Sequence, residues 1–424
     1  MARSTLAFAM DVAIVGAGIG GLTLALMLER RGIVARVYES SAEIRPLGVG
    51  INVLPHASRE LGALGLEPAL TRHAVLTQQA AFFNRYGQLI YTEPLGRAAG
   101  YDAPQYSIHR GDLQRVLLDA FIDRAGAEAV LAGWRCTGCT QDDAGAMLAF
   151  DDPQGRRARE PRHADVVVAC DGLHSAIRRQ FHPHEGAPRY SGVNMWRGTT
   201  RWMPILGGAT MIRAGWFTQG KMVVYPIRSA IDAQGRQLVN WVAEIETPQH
   251  RQRDWNRPGR LEDFIGAFES WTFDWLDVPA MIRAADSILE FPMVDQDPLP
   301  WWTQGRVTLL GDAAHPMVPR GSNGAGQAIL DARCLADRLA ASGDVRAALA
   351  AYEAERLPAT TQVVLENRKN PPDAIIREVV ERSGDRPFAR IEDVISRAEL
   401  ERMSERYKRV AGFDRASLAE RPAG

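Results

Sequence analysis

The sequence predicts an α/β fold: a Rossmann-like nucleotide-binding domain, a smaller β-sheet domain inserted into it, and a C-terminal helical segment. Three observations carry this. A glycine hexad, Gly16-Ala-Gly-Ile-Gly-Gly21, stands between an apolar strand and a helical pattern. Two further apolar strands, 164–170 and 306–310, also run into aspartate turns, so three strands far apart in the chain end at one site. Between these two strands lies a strand-rich stretch, and after them the spacing is helical.

In chain order, residues 11–15 (DVAIV) form a short apolar run of the kind buried in parallel sheets. The hexad follows directly, then helical spacing from Leu22 to Arg31 and a second strand, VARVYES. This is a strand–turn–helix–strand unit of about 30 residues. Residues 134–160 read as short hairpins turned by DDAG and DDPQG. VNMWRGTT, MVVYPI and QLVNWVAEI make 193–245 strand-rich. From Leu261 to Ala284 the spacing turns helical, Ile329–Ala341 and Ala347–Asn367 are longer helices, and the chain beyond Pro371-Pro372 is helical and charged. The resulting parse assigns 1–75, 101–184 and 291–345 to the nucleotide domain, 76–100 and 185–290 to the inserted domain, and 346–424 to the helical segment.

Composition bounds the partners. The chain has 424 residues, 50 basic and 51 acidic, for a net charge of -1. No global field draws it to nucleic acid or an anionic membrane, and a small-molecule partner is expected. Lys221, Lys369 and Lys408 are the only lysines, so no mechanism can use a lysine in the first 220 positions. Four cysteines in so long a chain make no disulfide framework, and the apolar runs are too short to cross a bilayer. A soluble, cytoplasmic protein, monomer or homodimer, is expected. Cys136 and Cys139 have metal-like spacing but lack a second pair, and His182 and His184 lack acidic or cysteine companions; no metal is expected.

In the hexad, Gly16 permits the tight turn, Gly18 lets the backbone approach a pyrophosphate, and Gly21 packs helix on strand; Ile19 and Gly20 lie within the same turn. The helix N-terminus then faces phosphate charge. Glu39 stands 18 residues beyond Gly21, where an acidic group accepts ribose hydroxyls. These features do not separate NAD from FAD.

Asp171-Gly-Leu-His-Ser175 and Gly311-Asp-Ala-Ala-His-Pro316 resemble the DG and GD signatures of the group A FAD-dependent monooxygenases, and with the hexad they follow that family's order. GVGINVLPHA, PQYSIHRGDL, MWRGTT, LVNWV, DWNRPGRLEDF and FPMVDQDPLPWW are similar to the phenazine hydroxylases of the pyocyanin-biosynthesis type and more distantly to salicylate hydroxylases. The similarity runs from about Met10 to Leu357. It implies a para-hydroxybenzoate hydroxylase-like fold. It also implies an enzyme that uses FAD, NADH or NADPH, and O2 to hydroxylate a small aromatic or heteroaromatic ring through a flavin C4a-hydroperoxide, with or without loss of a ring carboxylate.

By the same resemblance Asp312 binds the ribityl chain, Arg110 the pyrophosphate, and Arg45 another part of FAD. Asp171 and Gly172 lie where flavin and nicotinamide meet. Gly311, Pro319, Gly321, Asn323, Gly324 and Ala325 shape the loop around the flavin, with backbone N–H groups aimed at its pyrimidine ring. The flavin does the chemistry, so no catalytic side chain is assigned. No second hexad occurs, so the nicotinamide would bind transiently across the FAD cleft.

Trp196, Met211, Tyr225, Trp241 and Pro319 are candidates for a substrate wall, since flat aromatic molecules pack on aromatic and apolar groups; such residues also serve as ordinary sheet core. Arg320 replaces an often apolar residue of the family and either meets a substrate carboxylate or points to solvent. Cys170 replaces an alanine. His315 is left outside the catalytic set. A flavoprotein oxidase or dehydrogenase is the main rival. A halogenase is the other, with Trp271 and Trp275 at the wrong spacing and no early lysine. A non-enzymatic FAD-binding regulator is a third class.

Overall fold

The computed structural model describes residues 10–45, 48–247 and 257–419; the first part of the DWNRPGRLEDF segment lies outside them. Its first sheet has six strands in the order Thr303–Gln304, Val307–Leu309, Val166–Ala169, Asp11–Val15, Val34–Glu39, Val130–Ala132. All neighbours are parallel except the Thr303–Gln304 edge. Val12, Ile14, Val37, Val166 and Val307 are 0% exposed, which requires cover on both faces of the sheet. The helices Ile19–Glu29, Arg110–Ala125 and Gly324–Ala341 contribute to that core. Register pairs Val15 with Ala169 and Ala169 with Leu309. The strands leading to the hexad, the DG turn and the GD turn therefore end level with one another.

The second sheet has eight strands: Arg257–Pro258, Ile288–Asp295, Arg189–Trp202, Gln237–Glu246, Lys221–Arg228, Thr210–Gly215, Gln79–Phe83 and Leu89–Pro94. Alternation of side chains sorts its two faces. Trp196, Ile212, Met222, Val224 and Trp241 share a core with Phe264, Phe268 and Trp271. Met195, Met211, Val223 and Tyr225 pack with Phe217 and with Val318 from the loop after the GD turn. A three-stranded sheet, Gly50–Val53, Tyr106–His109 and Ala74–Leu76, joins the two layers. There Gly50 N donates to Asn240 Oδ1 at 2.7 Å, a contact so close that a Cβ on Gly50 would fall 2.7 Å from the Asn240 side chain.

The expected helix from Leu261 to Ala284 is corrected. The segment makes 3-10 turns at Leu261–Asp263 and Ile265–Phe268, a hairpin pairing Thr272–Phe273 with Leu276–Asp277, and a short helix, Val278–Arg283, capped by Asp277. Phe264, Phe268 and Trp271 do recur at helical spacing, but they do so to cover Trp196 and Trp241; tertiary packing outweighs the pattern.

The tail comprises Val345–Lys369, Ala374–Ser383, Arg397–Ala411 and Arg415–Ala419, with a capping box of Ser396 and Glu399 starting the third helix. Ile375, Ile376, Val379 and Leu400 bury themselves against Ala80, Phe82, Ile90 and Tyr91, so the tail covers the outer strands of the second sheet. Among the described residues no helix is long and apolar enough to cross a membrane.

Candidate active site

The three aspartate- and glycine-containing turns meet above the level strand ends. Gly16 leaves its strand at φ 106°, and a Cβ there would lie 2.6 Å from the Cys170 carbonyl oxygen. A Cβ on Gly21 would collide with the Gly16 carbonyl, and one on Gly20 would press on Leu310 and Ala328. Gly18 differs: nothing lies within 4 Å of its Cβ position. It occupies the N-cap of helix Ile19–Glu29, and no side chain caps that end. Three of these glycines are required by the protein's own packing, while Gly18 and the open N–H groups beside it face free space of the kind a phosphate fills. Glu39 accepts from Ala17 N at 2.9 Å, Ser41 N at 2.8 Å and Ser40 Oγ at 3.0 Å, which ties the second strand to the hexad.

At the DG turn, Asp171 Oδ2 accepts from Ala176 N at 3.0 Å, while Oδ1 is buried without a hydrogen-bond partner. Burial pushes this carboxyl up from its ordinary value. Gly172, at φ 76°, has open space at its Cβ position. At the GD turn, Gly311 N donates to Asp331 Oδ2 at 3.2 Å, and Asp312 points outward, its Oδ1 3.8 Å from the Cβ position of Gly324. The following loop leads into helix Gly324–Ala341, whose N-terminus at Asn323 also lacks a side-chain cap. Arg110 is exposed at the head of helix Arg110–Ala125, its stem beside Gly48. Arg45 is exposed and pairs with Glu43 at 2.6 Å.

The substrate-wall candidates divide. Met211 and Tyr225 lie on the sheet face that meets the loop, Tyr225 buried beside Arg197. Trp196 and Trp241 lie on the opposite face, in the core with Phe264, and the expectation for these two is corrected: strand alternation points them away from the loop. Pro319 is exposed. Arg320 lies over the Phe217 ring, 4.5 Å from its centre. A cavity of about 50 Å³ runs between Phe82, Met211, Arg213, Gly321, Tyr407 and Phe413. Pockets for drug-sized ligands are typically ~300–1,000 Å³, so this cavity is smaller than such a ligand needs.

These features fit FAD: an uncapped helix end beside an open glycine, a second uncapped helix end after a glycine-rich loop, and outward Asp312 and Arg110 on the rim. A family model described as "FAD binding domain" matches residues 9–264 and 280–367. The phenazine 1,6-dicarboxylic acid hydroxylase of Lysobacter antibioticus is 43% identical over 368 residues, 86% of this chain and 90% of that protein. A 3-amino-4-hydroxybenzoate 2-monooxygenase of Streptomyces platensis is 36% identical over 368 residues, 84% of this chain and 87% of that one. The chain belongs to the FAD-dependent aromatic monooxygenases. Klebsiella pneumoniae HpxO, solved with FAD and uric acid, shares the fold of this monooxygenase at a TM-score of 0.75 and 24% identity, covering 97% of each chain.

Several residues that shape the monooxygenase site escaped the sequence reading. Beneath the GD turn, Asp331 accepts from His315 Nε2 at 2.5 Å and from Arg356 Nε at 2.7 Å, and Arg356 also donates to Gln327 Oε1 at 2.7 Å. Arg178 Nη1 donates to the carbonyls of Ala313 at 2.8 Å and Ala314 at 2.9 Å. His315 is thus part of the turn's foundation. Above the loop, Asn323 Nδ2 donates to Tyr407 Oη, which donates to Asn367 Oδ1, both at 2.7 Å. Trp271, the halogenase-like tryptophan, is 1% exposed in the far-face core. Cys136 and Cys139 sit on one hairpin strand, and burial pushes their thiols up to about 12 and about 11, far from thiolate chemistry.

Proposed function

We propose that this monooxygenase hydroxylates a phenazine-type or benzoate-type aromatic acid, using NADH or NADPH and O2, in a reducing cytoplasm. The observation that carries the reading is the common level of the three strand ends, which gathers the hexad, DG and GD turns around one opening beside the inserted sheet. The relatives named for a phenazine dicarboxylic acid and an aminohydroxybenzoate support the substrate class.

FAD, when bound, supplies the redox and oxygen-transfer chemistry. The chain's part is to bind, orient and exclude water. The N–H groups around Gly18, Ile19, Gly20 and Gly21, with Arg110 at the rim, would hold the pyrophosphate, while Glu39 and Asp312 would take hydroxyls. The N–H groups of Gly324 and Ala325, at an uncapped helix N-terminus, would favour negative charge on a bound flavin ring. Met211, Tyr225 and the tail wall off the ring to be hydroxylated. Asp171, Gly172, Gly311, Pro319, Gly321, Asn323 and Arg45 complete the cofactor set, Arg45 only by leaving its Glu43 partner.

The test is a screen. FAD-loaded protein is mixed with phenazine and benzoate acids, and NADH and NADPH oxidation is followed alongside product mass. The expected result is an acid that stimulates oxidation and gains one oxygen. An enzyme that no aromatic acid stimulates above its own background contradicts the reading.

A further inference from the structure

A buried ion cluster lies on the sheet face that meets the loop. Lys221 Nζ stands 2.9 Å from Glu244 Oε2 and 2.6 Å from Asp373 Oδ2, and Arg213 Nε stands 2.9 Å from Asp373 Oδ1. None of the four side chains is more than 10% exposed. Two cations face two carboxylates, so this set is neutral, as burial demands. Burial opposes ionisation of Asp373, but Lys221 and Arg213, with a smaller part from Arg320, outweigh it and hold the carboxyl below its ordinary value.

Arg320 is a third cation at the same place. It shares the Phe217 ring with Lys221, whose Nζ lies 5.0 Å from the ring centre. Its Nε is buried with no hydrogen-bond partner. Asp373 Oδ2 is taken by Lys221, Oδ1 stands at ion-pair distance from Arg213 without a hydrogen-bond partner, and Arg320 acts on the same carboxylate from beyond ion-pair distance, with no ion pair of its own among the described residues. Three cations thus share two carboxylates, and the excess positive charge is costly where it is partly buried. It also sits next to Gly321, which lines the cavity together with Met211, Arg213 and Tyr407.

We propose that Arg320 is the specificity-determining residue for a carboxylate on the aromatic substrate, which supplies the negative charge that Glu244 and Asp373, shared among Lys221, Arg213 and Arg320, fall short by. A planar guanidinium matches a carboxylate with two parallel hydrogen bonds, whereas a carboxamide offers one acceptor and turns its NH2 donors against the cation. The proposal rests on the aromatic monooxygenase reading and names the residue that selects its ring acids.

The test is calorimetric titration of the FAD-loaded protein with two matched pairs, phenazine-1-carboxylate against phenazine-1-carboxamide and 3-hydroxybenzoate against 3-hydroxybenzamide. Wild type is expected to bind at least one acid about tenfold or more tightly than its amide. Arg320→Leu weakens that acid by about tenfold to hundredfold, the worth of charge-assisted hydrogen bonds, and leaves the amide unchanged. Arg320→Lys recovers part of the loss. If Arg320→Leu loses FAD, Arg320→Gln takes its place. Equal affinity for acid and amide, binding of neither, or an equal loss for both in the variant overturns the proposal. Turnover separates it from the parent reading: an acid bound through Arg320 but never oxygenated leaves the carboxylate site standing and sinks the monooxygenase assignment.

Discussion

At the scale of single residues, two glycines of one hexad predict opposite phenotypes. Gly18 has φ -75° and ψ -178°, which valine adopts without strain, and its Cβ would meet nothing within 4 Å. Gly18→Val is expected to fold with near wild-type thermal stability and to purify colourless, the new methyls standing where the phosphate belongs. Gly21→Ala drives a Cβ into the Gly16 carbonyl and is expected to lose stability by about 1–3 kcal/mol or more. Flavin absorbance and melting temperature of the two variants check this; a yellow Gly18→Val protein contradicts it.

Asp331 makes a second prediction at this scale. It is 0% exposed, and although burial opposes its ionisation, His315 and Arg356 hold its carboxyl below the ordinary value. A depressed carboxyl stabilises the fold fully above the unfolded value of about 4 and progressively less as pH falls through the folded one. Asp331→Asn, which leaves Arg356 buried without its charge partner, is expected to cost about 3–5 kcal/mol at neutral pH, with the gap from wild type narrowing below about pH 4. Denaturant melts across that range measure it, and a constant gap contradicts the assignment. The hexad and GD residues were legible because their spacing is local. Asp331, Arg356 and Arg178 were not: each meets the GD turn only through the fold, and each reads in sequence as another polar position on a helix in an arginine-rich chain.

At the scale of elements, the apolar runs identified the central strands, since DVAIV and VVVA are buried on both faces. Alternation also predicted the second sheet. What alternation left open was which face turns toward the loop, and Trp196 and Trp241 fell on the other one for that reason. The 261–284 segment misled in a related way, its aromatic spacing reporting cover for tryptophans instead of a helix. The tail helix Arg397–Ala411 had no motif at all, yet Tyr407 fastens it to the loop. Burial pushes the Tyr407 phenol up, so it is a neutral hydroxyl accepting from Asn323 and donating to Asn367. Tyr407→Phe leaves both amides short of a partner, at a cost of about 1–3 kcal/mol. The expected outcome is an intact fold with a lower melting temperature and a larger share of NAD(P)H oxidation ending as hydrogen peroxide. Unchanged peroxide yield contradicts the tail's part in excluding water.

At the scale of the whole molecule, a near-neutral net charge conceals specific use of cations. Arg178 and Arg356 brace the GD turn from below, Arg110 stands at the rim, and Arg320, next to the cavity residue Gly321, is the third cation around two buried carboxylates. The discontinuity of the first sheet was visible early, because strands hundreds of residues apart ended in related turns; the closing of the cavity by the tail was not, because it depends on contacts between segments with no shared pattern. The family match ends at residue 367, before the segment carrying Tyr407 and Phe413, which lines the cavity.

The central claim is that this architecture places one atom of O2 on an aromatic ring. The direct measurement is turnover under 18O2 with a stimulating aromatic acid, followed by mass spectrometry of the product. One labelled oxygen in the hydroxylated ring is the predicted result; label confined to hydrogen peroxide, with the ring unchanged, would show an oxidase and contradict the account.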